Sequence, residues 1–139
     1  MSESTVTPDV RRLLEQHVES YEQLEIILLM HRTRDVQWNA DALGHSLHIP
    51  TTSAASALIA LHRSRIVSTA PGPNGTSSYV YAPTSAADVS AIDQLSEDYA
   101  VQRIEIIKLM NANALLRVRT SALRAFADAF DLRKGPKDG

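Results

Sequence analysis

Apolar positions recur at helical spacing through most of this chain and turn strand-like over Ile66 to Thr69 and Ser78 to Tyr81, so the pattern predicts helices interrupted by one hairpin. Thr7-Pro8-Asp9 supplies an N-cap, a proline at the first helical position and an acid in the first turn, and Val10, Leu13, Leu14, His17 and Val18 follow at helical spacing. Ser20-Tyr21-Glu22-Gln23 resembles a capping box and opens a second helix, expected to bury Leu24, Ile27 and Leu28 with Ile26 or Met30 and to end near His31 to Arg34. After a brief alternation at Val36-Gln37-Trp38, Asn39 caps a helix from Ala40 to Leu47, and Ile49-Pro50 stops it because the residue before proline is pushed out of the α region. Trp38 reads as a core anchor rather than a base-stacking ring.

The next helix starts at Thr51 or Thr52 and places Ala54, Ala57, Leu58 and Leu61 on one face, leaving Thr52, Ser53, Ser56, Ile59, Ala60 and Arg63 on the others. Ile66 to Thr69 and Ser78 to Tyr81 read as strands around the turn signal Pro71-Gly72-Pro73-Asn74-Gly75. Thr84 or Ser85 then caps a long helix striped by Val89, Ile92, Leu95, Tyr99, Ile106 and Met110 and widened by Ile104 and Ile107. Asn111-Ala112-Asn113 is expected to weaken that helix, and Thr120 or Ser121 to start a short final one burying Leu123, Phe126, Ala127 and Phe130, before a frayed tail from Arg133. The expected layout is a helical extension over 1–19, a central unit over 20–83, C-terminal helices suited to dimerisation over 84–132 and a flexible tail over 133–139.

At 139 residues and 44% hydrophobic, the chain is one domain's worth, and with aromatics at only 5% its core must be built from aliphatic side chains, which favours packed helices. The absence of cysteine excludes disulfides, thiolate zinc sites and cysteine nucleophiles and suits a reducing compartment. Met1 to Val10 lacks the basic-then-apolar pattern of a signal peptide, and no apolar run approaches the ~20 residues that cross a bilayer. A cytoplasmic protein without a membrane partner is expected.

Charge is distributed unevenly. Residues 1–41 hold eight acidic and four basic groups, 42–87 hold only Arg63 and Arg65, and 88–139 hold eight of each sign. The acidity therefore lies outside the central unit, which permits an approach to phosphates without supplying a dense basic patch.

Catalytic chemistry is hard to find. His45 and His48, with His62 and Asp41 nearby in sequence, lack a defined metal-ligand spacing and read as surface histidines. The glycine-containing run 71–75 is turn chemistry with no following helix or lysine, and Glu15, Glu19, Glu22 and Glu25 read as a solvated helix face. No catalytic residue, metal or cofactor is expected. One internal echo, Leu24-Glu25-Ile26-Ile27-Leu28-Leu29-Met30 against Ile104-Glu105-Ile106-Ile107-Lys108-Leu109-Met110, reads either as two apolar helices of similar composition or as two parts of a shared dimer surface.

The order helix, turn, helix, hairpin over Trp38 to Pro83 resembles the winged helix-turn-helix of bacterial transcriptional regulators, in the broad MarR-like class. Trp38, Leu43, Leu47, Ile49, Ala54, Leu58, Leu61, Ile66, Val67 and the ending Tyr79-Val80-Tyr81-Ala82-Pro83 carry the resemblance, and all are packing positions. The whole chain also resembles small bacterial proteins of this layout, including the ending Leu123 to Phe130. The resemblance implies a mainly α fold with a two-stranded wing, a homodimer and a double-stranded DNA partner. Thr51, Thr52, Ser53, Ser56, Arg63, Arg65, Asn74, Thr76 and Ser77 are then the candidate DNA-contacting residues. Members of the fold that bind DNA tend to carry Arg, Lys, Gln or Asn on the outer face of the second helix, where this chain has Thr52, Ser53, Ala55 and Ser56. Hydroxyls discriminate poorly between bases, so the alternative is an uncharged surface that docks a protein partner instead.

Overall fold

The computed structural model describes residues 6–72 and 75–134. It is mainly helical with one small antiparallel sheet, in the order α1 (Pro8–His17), α2 (Tyr21–Arg32), α3 (Ala40–Leu47), α4 (Thr51–Arg63), β1 (Val67–Pro71), β2 (Ser77–Tyr81), α5 (Ala86–Val101) and α6 (Arg103–Lys134).

Local side-chain chemistry sets most helix starts. The Thr7, Ser20, Asn39 and Ser85 side chains accept from the amides of Val10, Gln23, Ala42 and Asp88, each satisfying one donor that the first turn leaves orphaned. Gln23 answers Ser20, but its side-chain oxygen accepts from the Glu19 amide at 2.8 Å, one residue before the cap of an ordinary capping box. The end of α3 is set earlier than Pro50 alone implies. His48 adopts the left-handed conformation (φ 58°, ψ 46°), and the amides of His48 and Ile49 both donate to the Gly44 carbonyl.

One apolar cluster runs from Val6 to Met110 and draws on α1, α2, α3, α4, α5, the start of β1 and the first turns of α6. At its centre lies α2, where Leu24 and every residue from Ile26 to Met30 is buried; it packs on α3, α4, α5 and β2. A helix apolar nearly all round can be satisfied only by such a central position. Asp88, buried at the start of α5, ties α1 to that helix through Arg12 at 3.5 Å and His17 at 3.7 Å.

The hairpin pairs Val67 with Tyr81 at its base and Pro71 with Ser77 near its tip. On the other edge of β2, Trp38 and Tyr79 exchange two backbone hydrogen bonds of 2.8 Å, so the segment before α3 adds a one-residue third rung. The Trp38 indole donates to Thr33 Oγ1 at 3.0 Å while its half-buried ring packs against the core.

The C-terminal half departs from the sequence expectation in three ways. The long helix after Ser85 is broken at Gln102 (φ −126°, ψ 44°), which redirects the axis so that Ile106 and Met110 still reach the common core. No break occurs at Asn111 to Asn113. Each asparagine costs roughly 0.5–0.7 kcal/mol in helix propensity relative to alanine, too little to end a helix that meets no glycine or proline before Lys134. Thr120 and Ser121 therefore sit mid-helix, and Leu123, Phe126, Ala127 and Phe130, expected to be buried, are exposed because α6 runs on past the core. Val89 and Ile104 of the expected stripe are exposed as well, and Tyr99 is half-buried. Among the described residues no helix is long and apolar enough to cross a membrane.

Candidate nucleic-acid interface

The turn after α3 is tight. A Cβ on Gly44 would stand 2.8 Å from the Ile49 carbonyl oxygen and 3.5 Å from the Thr51 Cα, so the chain entering α4 lies directly against α3. Pro50 is the N-cap of α4, and no side chain bonds to the first-turn amides there. Those donors and the positive end of the helix dipole lie beside the exposed Thr51 and Thr52, with the Thr51 amide nitrogen 3.5 Å from the Cβ position of Gly44.

On α4, Thr52, Ser56, Ile59 and Arg63 fall at offsets of 0, 4, 7 and 11 residues, which puts all four on one line along the outer face. All four are exposed, Ile59 by 49%, while Ala54, Ala57, Leu58 and Leu61 fix the opposite face to the core. Ser53 is half-buried. Thr52, Ser53 and Ser56 share a shallow cavity of about 320 Å³ with Ala57 and with Ser20, Glu22 and Gln23 from the start of α2. Glu22 therefore adds an acidic neighbour to the hydroxyl cluster.

The structure does not gather every candidate residue in one place. Arg63 lies about 16 Å along α4 from Thr52 at 1.5 Å per residue. Arg65 follows in the left-handed region (φ 62°), exposed, at the base of the hairpin where its carbonyl accepts from the Thr84 amide. Thr76 and Ser77 are exposed near the tip, separated from the base by the full length of the strands, roughly 13 Å. Asn74 lies outside the described residues. The surface is thus hydroxylic at one end of α4, apolar at Ile59 and cationic at the other end.

Glu22 and Gln23 had no signal for this site in the sequence, because their proximity to α4 depends on helix packing across some thirty residues of chain. Gly44 could have been found from the sequence, as the one glycine inside a predicted helix.

Elsewhere the polar clusters read as struts. His31 Nε2 lies 2.9 Å from Asp93 Oδ1 and 2.8 Å from the Arg34 guanidinium, joining the end of α2 to α5. The Tyr81 hydroxyl beside them is pushed up to about 12, mainly by burial and then by Asp93, so it stays a neutral phenol. His45, His48 and His62 are all exposed, and among the described residues no group of three or more His, Asp or Glu side chains is placed to hold a metal ion. Compared with models of protein families, with curated proteins and with solved structures, the chain matches none, so the reading of this surface rests on its own geometry and chemistry.

Proposed function

We propose that the chain is a DNA-binding regulator of winged-helix type, acting as a homodimer. In this reading α4 enters the major groove, Thr51, Thr52, Ser53 and Ser56 meet phosphates or base edges, Arg63 and Arg65 hold the backbone, and the hairpin with Thr76 and Ser77 lies alongside as the wing. The observation that carries the proposal is the outer face of α4: exposed at Thr52, Ser56, Ile59 and Arg63, beginning at an N-terminus that no side chain caps, and joined to the hairpin through β1. Backbone amides at such a terminus bind a phosphate without needing a basic side chain.

Because hydroxyls read bases with little selectivity, binding is expected to be weakly sequence-dependent and shallow in salt. Two arginines per subunit give about four charged contacts in a dimer and a slope of log K against log[salt] of about −4. A titration of random duplex by fluorescence anisotropy between low and physiological salt measures it, and absence of binding at low salt rejects the proposal.

Arg65 allows a sharper test. Its left-handed backbone suits glycine, so Arg65→Gly is expected to keep or raise stability, by up to about 1 kcal/mol, while weakening duplex binding and reducing the slope toward about −2. Unchanged affinity at higher stability would show that Arg65 only closes the turn.

A second reading is supported by the Glu22 carboxylate beside the hydroxyls and by the exposed Ile59: the same face docks a protein. Such a semi-polar surface fits a modest protein interface. Partner retention after nuclease treatment distinguishes it from a nucleic-acid bridge.

A further inference from the structure

Past Met110 the side of α6 that faces α1 turns polar. Asn113, Leu116, Arg117, Thr120 and Ser121 fall at offsets of 0, 3, 4, 7 and 8 residues, in line with Ile106 and Met110, which reach the core earlier on the same helix. Across from them lies the end of α1. The two helices do not close on each other there, and leave an open cavity of about 490 Å³ lined by Glu15 and those five residues of α6. Such a volume lies within the roughly 300–1,000 Å³ of small-molecule sites.

A helix that merely ran out of its domain would turn these polar groups to water. Two of them are held inward instead. The Asn113 amide nitrogen is buried and has no hydrogen-bond partner, an unfavourable state for a donor, which an acceptor in the cavity would relieve. Arg117 is half-buried, and its Nη2 donates to the carbonyls of Glu15 and Val18 at 3.5 Å each, which holds the guanidinium against the C-terminal end of α1. Those bonds are long, and the other N–H groups of that guanidinium make none among the described residues.

The charges on the walls define the ligand. Glu15 and Arg117 line one cavity from opposite helices, and no ion pair joins them. A fixed cation with spare donors beside it, a separate anion and an apolar wall at Leu116 match a molecule that carries the three opposite parts. We infer that this cavity binds the zwitterion of a free α-amino acid with an apolar side chain. Its carboxylate takes the Arg117 guanidinium, the Asn113 amide and the hydroxyls of Thr120 and Ser121; its ammonium faces Glu15, and its side chain lies along Leu116. A carboxylic acid without the amine would set its charge near Glu15 with nothing to offset it, and an amine without the carboxylate would leave the Arg117 and Asn113 donors unmet. The site is separate from α4, and the inference does not rest on the DNA reading.

Calorimetric titration of the full chain with L-phenylalanine is the test, with 3-phenylpropanoate and 2-phenylethylamine as the analogues that lack the amine and the carboxylate. L-Phenylalanine is expected to bind with a dissociation constant below about 1 mM, and each analogue at least about tenfold more weakly. No heat from L-phenylalanine at millimolar concentration, or equal binding of either analogue, overturns the inference. Glu15→Gln changes an exposed side chain and is expected to weaken L-phenylalanine about tenfold without weakening 3-phenylpropanoate, while Arg117→Gln weakens both. Asn113→Leu separates a ligand donor from a structural one. Removing an unmet donor with a side chain of similar shape is expected to raise the melting temperature of the free protein while lowering its affinity for L-phenylalanine. A lower melting temperature would mean that the amide is already satisfied within the chain, and binding that survives all three substitutions would place the amino acid elsewhere; either result overturns the inference.

Discussion

Gly44→Val is expected to cost about 3 kcal/mol or more of stability and to abolish duplex binding by α4, and Gly44→Ala is expected to cost about 1–2 kcal/mol. The sign of the alanine result is the informative part. Gly44 lies inside α3 and not in the left-handed region, so helix propensity alone predicts a gain of about 1 kcal/mol from alanine. Against that, the added Cβ would meet the Ile49 carbonyl oxygen at 2.8 Å, closer than real Cβ contacts come. The atom that must give way is backbone, held by the Ile49 amide's own bond to the Gly44 carbonyl, and it cannot swing aside as a side-chain tip would. Relief requires opening the turn from Leu47 to Thr51, which shifts the start of α4 and with it Thr51, Thr52 and Ser53. Urea denaturation of the two variants measures the cost, and a Gly44→Ala protein as stable as the parent would show that the turn is loosely packed. The valine adds two methyl groups in the same confined space and takes the larger penalty.

What could be read from the sequence follows the range of the interaction responsible. The starts of α1, α2, α3 and α5 were legible because each rests on one side chain bonding an amide three residues away: Thr7, Ser20, Asn39 and Ser85. The inner face of α4 was legible from its period. The end of α3 was legible only in part, since Pro50 marks the boundary while the left-handed His48 makes it. The break at Gln102 was not legible: glutamine is a good helix former, and its surroundings come from distant chain. There Tyr99 lies within hydrogen-bonding reach of Glu25 and of Tyr21, to which Arg103 donates, and all of this appears only once α2 and α5 are packed. Of the candidate site, the hydroxyl line on α4 was legible from spacing, whereas the acidic neighbour Glu22 was not. The final helix shows the limit most plainly. Periodicity identified the apolar residues Leu123, Phe126 and Phe130 correctly as one face, but a period says that a face exists and not what covers it.

The echo between Leu24 to Met30 and Ile104 to Met110 turns that limit into the second large prediction. Its two copies have nearly the same sequence and different surroundings: Leu24 is fully buried in α2, and Ile104 is 65% exposed at the start of α6. Leu24→Ala is expected to cost about 2–5 kcal/mol, from lost apolar transfer and from a cavity that α4 and α5 cannot close without moving. Ile104→Ala is expected to change stability by less than about 0.5 kcal/mol, and on the stabilising side, because alanine is the better helix former and little packing is lost. The pair at Ile26 and Ile106 serves as the control. Both are fully buried, so both alanine variants should be destabilised by amounts typical of core truncation, about 2–5 kcal/mol. Chemical denaturation of the four variants gives the comparison. Equal costs at Leu24 and Ile104 would mean that the second copy of the echo is covered in solution by something beyond its own chain. A large cost at Leu24 with none at Ile104 means that seven similar residues carry two distinct roles, set by where the break at Gln102 points the helix that follows it.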